Sequence, residues 1–159
     1  DGVCAMLPIS RARASACSRI LAALVFASLI VCLVDDFTKL AKINLQNTEV
    51  EYQRQKKIYE QKCLACHQAD GGGVPNMNAP LDGASNVVGK DIARLVRIIR
   101  YGYNERVALD GFYYSNAMTA SPDLKDNEIA DLLTYIRNSW SNKASAVTIA
   151  QVQAAKKKK

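Results

Sequence analysis

Apolar positions recur at helical spacing in three stretches, which predicts helices over residues 50–66, 91–101 and 127–140. A fourth stretch, residues 20–34, is apolar almost throughout. Residues 70–80 hold three glycines, two prolines and two asparagines, which predicts a loop. The pattern therefore predicts a mainly helical chain with a long loop after the helix at 50–66.

Turn-forming residues refine this picture. Gly102 is predicted to end the second helix, and Asp126 is predicted to open the third. Asp110 and Gly111 lie between apolar pairs, which indicates a tight hairpin turn. Residues 141–155 show a weaker pattern, and we expect a detached helical tail there.

The apolar run at 20–34 follows Arg11, Arg13 and Arg19 and precedes two aspartates. A positive flank before an apolar run of about fifteen residues is typical of a secretory signal, whereas a spanning helix needs about twenty. Because no small-residue cleavage site is evident, a cleaved signal and an uncleaved membrane anchor through residues 20–34 both remain open. Either interpretation predicts an exported domain.

These features predict four parts in the chain. Residues 1–36 are the signal peptide or N-terminal membrane anchor, and residues 37–49 are a tether. Residues 50–143 form the folded domain, and residues 144–159 form a C-terminal tail that ends in a lysine run.

The net charge of +6 is unevenly distributed. Residues 51–143 carry twelve Lys or Arg against eleven Asp or Glu, so most of the excess comes from the last four residues, which are all lysine. A nearly neutral domain argues against nucleic acid as a partner, because that function needs a basic face. We interpret the lysine run as a solvated end.

The segment Cys63-Leu64-Ala65-Cys66-His67 has the C-x-x-C-H pattern of c-type haem attachment. Residues three apart share one helix face, so both thiols can reach the two vinyl edges of one porphyrin. His67 follows directly and can bind the iron as the proximal ligand. The motif therefore predicts one covalent haem c.

Other interpretations of the motif fit less well. A zinc site needs four ligands, and after residue 50 the chain has no further cysteine or histidine. A thioredoxin-like pair expects a βαβ setting, whereas this motif follows a charged helical run. The remaining cysteines, Cys4, Cys17 and Cys32, show no framework spacing, so no disulfide is predicted.

His67 is the only histidine, so a second histidine ligand from the same chain is impossible. Met77 and Met118 are the candidates for the sixth position, and loop reach does not decide between them. A carbonyl from the loop after His67 is expected to accept a hydrogen bond from its other ring nitrogen. The arginines of the second helix are either solvated or include one that pairs with a haem propionate; these are Arg94, Arg97 and Arg100.

The chain from residue 50 to 155 resembles bacterial class I monohaem cytochromes c. The first matching residues are Cys63-Leu64-Ala65-Cys66-His67-Gln68-Ala69-Asp70-Gly71, Gly73-Val74-Pro75 and Pro80-Leu81-Asp82-Gly83. The later ones are Gly111, Tyr114, Met118, Leu124, Glu128-Ile129-Ala130, Leu133-Thr134-Tyr135-Ile136-Arg137-Asn138-Ser139-Trp140 and Asn142-Lys143-Ala144-Ser145-Ala146-Val147-Thr148.

This resemblance implies an all-α, class I cytochrome c-like fold of about four helices around one haem, here preceded by the apolar N-terminal helix. It implies His67 as the proximal ligand and Met118 as the distal ligand, and so favours Met118 over Met77. It also implies a periplasmic electron carrier. Relatives of this kind often accompany sugar or alcohol dehydrogenases or oxidase complexes.

The chain departs from the family pattern at three positions. Ala79 replaces the first of two prolines, and its carbonyl is expected to accept the hydrogen bond from His67. Thr119 replaces the proline after the ligating methionine. Lys125 replaces a capping serine, so we expect the last helix to start later or to use Asp123 or Asp126 as its cap.

Three classes of function follow. The leading prediction is one-electron transfer between redox proteins such as a dehydrogenase, a quinol-oxidising complex or a terminal oxidase, either as a free carrier or as the cytochrome subunit of such a complex. The second class is a haem enzyme such as a peroxidase, which needs an open iron site and distal acid–base groups. The third is a structural or sensor module. The first class predicts that the chain is not itself an enzyme.

Overall fold

The structure is a computed structural model that describes residues 11–105 and 108–156, with residues 11–33 described by their backbone alone. Within these residues there are six helices and no strands, which confirms the predicted all-α class. The helices are α1 (Arg11–Lys62), α2 (Leu64–His67), α3 (Ser85–Val88), α4 (Ile92–Tyr101), α5 (Asp126–Asn138) and α6 (Ile149–Lys156).

Residues 1–48 and 49–159 form two separate units. In the first unit, residues 37–48 of the predicted tether are helical and their side chains are exposed. The alternatives of a signal and an anchor concern residues 1–36, of which residues 1–10 lie outside the described residues.

None of the helices in the described part of the chain contains a stretch long and apolar enough to cross a membrane.

The core of the second unit is built from the apolar faces of α4, α5 and α6 together with the end of α1. Its largest fully buried side chains are Tyr59, Val96, Ile129, Leu132, Leu133 and Val152. Four of the six lie on α4 and α5 at helical spacing, as the apolar pattern predicted. The predicted end of α4 is also confirmed, because Gly102 follows its last residue with φ +80°.

The expected detachment of residues 141–155 was wrong. Helix α6 packs against both α4 and α5, and its Val152 and Ala155 are 0% and 3% exposed. These two side chains are three residues apart and therefore share one face. So small an apolar face gives little signal in the sequence, although it is fully covered in the fold. The lysines after Lys156 lie outside the described residues.

The N-terminus of α5 starts where predicted, but it is capped differently from expectation. The helix begins at Asp126, and Lys125 is its N-cap residue. The Lys125 backbone N–H donates to Glu128 Oε2 at 2.8 Å. Glu128, at the third helical position, thus provides the acceptor for the backbone N–H of the N-cap residue. The prediction that Asp126 opens the helix is therefore confirmed, whereas the expected late start and the expected cap from Asp123 or Asp126 were wrong. Asp123 instead pairs with Lys62 at 2.5 Å.

The carboxylate of Asp126 joins three helices. Arg100 on α4 and Lys156 on α6 each place a nitrogen 2.6 Å from its Oδ1. The hydrogen bond from Lys156, followed by the charges of both cations, lowers the pKa of Asp126 below its ordinary value of 3.8. The pairs therefore hold α6 onto α4 and the start of α5.

This arrangement predicts an acid-sensitive contribution to stability. A carboxyl whose pKa is lowered in the fold stabilises it above the unfolded value, near 3.8, and loses that effect as the pH falls through the folded value. We expect Asp126→Asn to unfold at lower urea than wild type at pH 7, with the difference shrinking below pH of about 4. Urea titrations across this range measure it, and the exposed Asp36→Asn is the control. A difference that grew on acidification would contradict the ion-pair account.

Candidate functional site

One cavity of about 350 Å³ lies in the second unit and collects the predicted site residues. Cys63, Cys66 and His67 line one part of its wall, and Met118 also contributes to the lining. Residues more than fifty positions apart in sequence are thus brought together by the fold. The four predicted site residues therefore face one space.

The attachment motif sits where α1 gives way to α2. Cys63 is the N-cap residue of α2, its N–H donates to the Tyr59 carbonyl at 2.8 Å, and its own carbonyl accepts from His67 N–H at 2.9 Å. The Cys63 side chain is buried at 8% exposure, whereas Cys66 is exposed. The motif is therefore a short helical turn with one thiol inside and one near the surface.

The imidazole of His67 is oriented by the loop, as predicted. Its Nδ1 lies 2.9 Å from the Ala79 carbonyl oxygen. Because a carbonyl can only accept, Nδ1 carries the proton and donates. The lone pair of Nε2 is then free to bind a metal. The expected use of the Ala79 carbonyl is confirmed.

Gly73 allows this carbonyl to come close. Its φ is +67°, and a Cβ at this position would lie 2.7 Å from the Ala79 carbonyl oxygen. The Gly73 N–H also donates to the His67 carbonyl at 3.1 Å. A side chain at position 73 would therefore push the loop away from the imidazole that it orients.

Burial keeps the His67 imidazole and the Cys63 thiol uncharged. Desolvation lowers the pKa of His67, and the hydrogen bond to Ala79 opposes that shift only in part. Desolvation, with a smaller effect from Cys66, raises the pKa of Cys63 to about 12. A neutral imidazole can bind a metal without first losing a proton. A thiol held in its protonated form lacks the lowered pKa of a redox-active cysteine pair.

Helices α4 and α5 supply most of the apolar lining. Their apolar residues in the cavity are Leu95, Ile98, Ile99, Leu132, Leu133 and Ile136. Most of these belong to the buried core or pack against it. The walls are therefore suited to a flat apolar ligand.

The two methionine candidates are placed differently. Met118 is half-buried, lines the cavity and packs against the core. The side chain of Met77 is 47% exposed, and Met77 is absent from the lining of this cavity. Of the two, only Met118 shares the cavity with His67.

Polar residues also make up a substantial part of the cavity lining. Arg94 lines it, and so does Asn86, whose Oδ1 is buried without a hydrogen-bond partner among the described residues. Arg100 is instead paired with Asp126. Of the three arginines singled out in the sequence, Arg94 is the one that both lines the cavity and lacks a carboxylate within ion-pair distance among the described residues.

Two aromatic residues support the site in a way that sequence reasoning missed. The Tyr59 hydroxyl donates to the Gln68 carbonyl at 2.6 Å, and the Trp140 Nε1–H donates to the Ala69 carbonyl at 2.9 Å. Their ring centroids lie 5.5 Å apart in an edge-on contact. Tyr59 precedes Cys63 by four residues, and this same-face spacing was the available signal.

The residues present fit a haem attached to the two cysteines. The cavity volume falls in the range of roughly 300–1,000 Å³ that is common for cofactor sites, and such sites combine apolar walls with a few polar groups. The cavity has both features, with an imidazole and a thioether for an iron. In the described residues, no group of three His, Cys, Asp or Glu side chains is placed to hold a metal ion.

Comparison with known proteins agrees with this geometry. A family model described as Cytochrome c matches residues 52–140. The chain is similar to "Cytochrome c-552" of Thermus thermophilus, with 35% identity over 89 residues that make up 54% of this chain and 67% of that protein.

A second kind of relative is larger. The chain is similar to "Alcohol dehydrogenase (quinone), cytochrome c subunit" of Gluconacetobacter polyoxogenes, with 38% identity over 103 residues. The match covers 59% of this chain and 20% of that protein. A protein of the same name from Gluconobacter oxydans is 30% identical over 96 residues, which are 55% of this chain and 18% of that protein. The chain thus spans about a fifth of these dehydrogenase subunits.

Proposed function

Because the chain belongs to the cytochrome c family as a class I cytochrome, we propose that it transfers single electrons through one covalent haem c. In this proposal Cys63 and Cys66 form the thioether links, and His67 and Met118 are the axial ligands. Electron transfer and a covalently bound haem c are properties of the family. The number of haems, the ligand pair and the redox partners belong to this proposal.

The observation that carries it is the shared cavity. Cys63, Cys66, His67 and Met118 line one cavity of about 350 Å³. A haem bound there would supply a reversible ferric–ferrous couple. The Ala79 carbonyl holds the imidazole with Nε2 available, and α4 and α5 supply apolar side chains to the same cavity.

Two polar residues of the cavity, Arg94 and Asn86, are assigned to the carboxylates of the haem. The guanidinium of Arg94 can donate charge-assisted hydrogen bonds to a propionate. The side chain of Asn86 can donate from its amide nitrogen once the amide is turned. These two residues would fix the rotation of the ring about its axis.

This ligand arrangement favours electron transfer over chemistry at the iron. With His67 and Met118 in the two axial positions, no position is left for peroxide or oxygen. The chain has no second histidine to act as a distal acid–base group. The proposal therefore describes an electron carrier and not a peroxidase.

A second candidate is a cytochrome subunit of a membrane-associated dehydrogenase. The similarity to quinone alcohol dehydrogenase cytochrome subunits favours it. Both candidates use the same site and differ in whether the partner stays bound.

We propose the periplasm as the location for both, with residues 20–34 as either a cleaved signal or an anchor. Gentle detergent extraction followed by size measurement separates them, because a subunit migrates with its dehydrogenase.

The ligand assignment predicts a spectroscopic loss. In Met118→Ala, we expect the far-red absorbance band of a ferric iron bound to methionine sulfur to disappear, because Met118 is the one methionine of the described residues that lines the cavity. We also expect carbon monoxide to bind the ferrous protein readily, because the sixth position has been opened. Absorbance spectra of the purified haem-loaded protein measure both effects.

Met77→Ala is the matched control and should keep the band. A band that persisted in Met118→Ala but vanished in Met77→Ala would show that the wrong methionine has been assigned. A wild-type protein without the band would contradict the His67–Met118 pair itself.

A further inference from the structure

The segment that carries Met118 is held by its backbone more than by side-chain packing. The Met118 side chain is half-buried, but the four residues nearest to it in sequence, 116, 117, 119 and 120, are exposed or only half-buried. A thioether on such a segment keeps its position only where the main chain is fixed. The attachments of that main chain therefore decide where the sulfur lies.

The first attachment is to Tyr103. The Met118 N–H donates to the Tyr103 carbonyl at 2.8 Å, and the Tyr103 N–H donates to the Met118 carbonyl at 3.0 Å. The two residues thus form an isolated antiparallel bridge. Met118, the proposed iron ligand, is therefore the donor in one of these hydrogen bonds and the acceptor in the other.

The second attachment depends on Gly102, which ends α4. Its φ is +80°, and a Cβ there would lie 2.7 Å from the Met118 carbonyl oxygen and 3.1 Å from the Ala120 nitrogen. Both contacts are with backbone atoms, which cannot rotate away. The 118–120 segment therefore crosses position 102 at a distance that only glycine permits.

The side chain of Tyr103 is fixed in turn by the first turn of α4. The Arg94 guanidinium lies 5.7 Å from the centre of the Tyr103 ring and donates to its hydroxyl at 3.2 Å. The backbone N–H of Arg94 donates to the Asp91 carboxylate at 2.9 Å, which caps the first turn of α4. The backbone of Tyr103 therefore follows the last turn of α4, while its side chain contacts Arg94 in the first turn of the same helix.

Other attachments hold the segment further away. The Ser115 and Asn116 N–H groups donate to the carbonyls of Asn76 and Met77, each at 3.0 Å. The Ser121 N–H donates to the Ile99 carbonyl at 2.8 Å. These bonds hold the two ends of the segment and leave the position of residue 118 to Gly102 and Tyr103.

From this geometry we propose that Gly102 and Tyr103 are positioning residues for the sixth iron ligand. Gly102 lets the Met118 carbonyl approach the end of α4, and Tyr103 locks it there with two hydrogen bonds. The clamp supplies the backbone restraint that a proline at position 119 would otherwise give, since Thr119 lacks a ring. The inference rests on the proposed His67–Met118 ligation.

The test compares Gly102→Ala with Gly111→Ala in the haem-loaded full chain. Both glycines have positive φ, at +80° and +86°, but a Cβ at Gly111 meets nothing within 4 Å. Both variants thus place an alanine at positive φ, while only Gly102→Ala directs its Cβ against the Met118 segment. We expect Gly102→Ala to raise the ratio of methionine-off to methionine-on protein about tenfold and Gly111→Ala to leave it near wild type.

The readouts are the far-red ferric band and the rate of carbon monoxide binding to the ferrous protein, with helix content followed by circular dichroism. A weakened band and about tenfold faster binding in Gly102→Ala alone, at equal helix content, support the clamp. Equal behaviour of the two alanine variants overturns it.

A second pair keeps the test decisive where Gly102→Ala gives too little folded protein. Tyr103→Ala removes the ring that stacks on Arg94, whereas Tyr103→Phe keeps it. We expect the band to weaken in the alanine variant and to persist in the phenylalanine variant, and equal bands would overturn the proposal.

Met118→Ala is measured in parallel. If Met118→Ala keeps the band, the ligand assignment fails. If it loses the band while the two variants within each pair give equal bands, only the clamp fails.

Discussion

Replacing both Cys63 and Cys66 with serine is expected to abolish covalent haem attachment completely. Thioether links need the sulfur atoms, and a serine hydroxyl does not replace them. Any haem that still entered the cavity would be held by its axial ligands alone and would separate from the chain on denaturation. The intact mass of the denatured chain measures this, because the wild-type chain should carry the added mass of one haem.

Ala65→Ser is the control, since it places a serine in the motif without removing either thiol, and this variant should keep its haem. Haem that stayed on the denatured double variant would show that another residue makes the link. A wild-type chain that was folded and colourless, with both thiols open to an alkylating reagent, would remove the basis of the proposed function.

Replacing Arg137 with methionine is expected to lower the free energy of unfolding by roughly 2–4 kcal/mol. Arg137 on α5 is 2% exposed and donates to the backbone carbonyls of Val87, Gly89 and Ser145. Methionine leaves these acceptors without their donor, at about 1–3 kcal/mol for each group that stays buried. The variant also avoids the desolvation of the guanidinium, which reduces the net loss.

Urea unfolding of the haem-loaded protein measures the change, with the exposed Lys143→Ala expected to stay within about 0.5 kcal/mol of wild type. Arg137→Lys should recover only part of the loss, because a single ammonium cannot match the planar fork of a guanidinium. If Arg137→Met and Lys143→Ala unfolded at the same urea concentration, the three hydrogen bonds would not stabilise the fold as argued.

The sequence predicted α4 and α5 well because their apolar faces are strong and regular. The predicted span of α4 was 91–101 and the observed one is Ile92–Tyr101. Helix α5 was predicted to continue to Trp140 but ends at Asn138. Trp140 has φ +56°, which is not helical, and its indole N–H donates to the Ala69 carbonyl. That tertiary contact is not encoded in helical periodicity.

The candidate site was more predictable than the structure that supports it. The motif names two thiols and an imidazole directly, and the expected hydrogen bond to Ala79 needs only a carbonyl at the right place in the loop. Arg137 was not singled out, although its spacing of four from Leu133 places it on the buried face of α5. A charged residue on the apolar face of a predicted helix was the available signal that Arg137 would be buried.

The contribution of α6 could not be judged from its sequence. Val152 and Ala155 are its two buried residues, and such a short pattern occurs as readily in an exposed helix. Helix α6 is held in the fold by packing against α4 and α5 and by the ion pair between Lys156 and Asp126. Whether a weak face is covered depends on partners distant in the chain, which periodicity does not report.

The acceptor that orients His67 is a main-chain atom, the carbonyl oxygen of Ala79. Every amino acid carries that oxygen, so the choice of ring tautomer is insensitive to which residue is coded at position 79. We therefore expect most substitutions there to keep this hydrogen bond, and saturation mutagenesis at position 79 should return many coloured clones. At position 73, where a methyl group would strike that same carbonyl, few should survive.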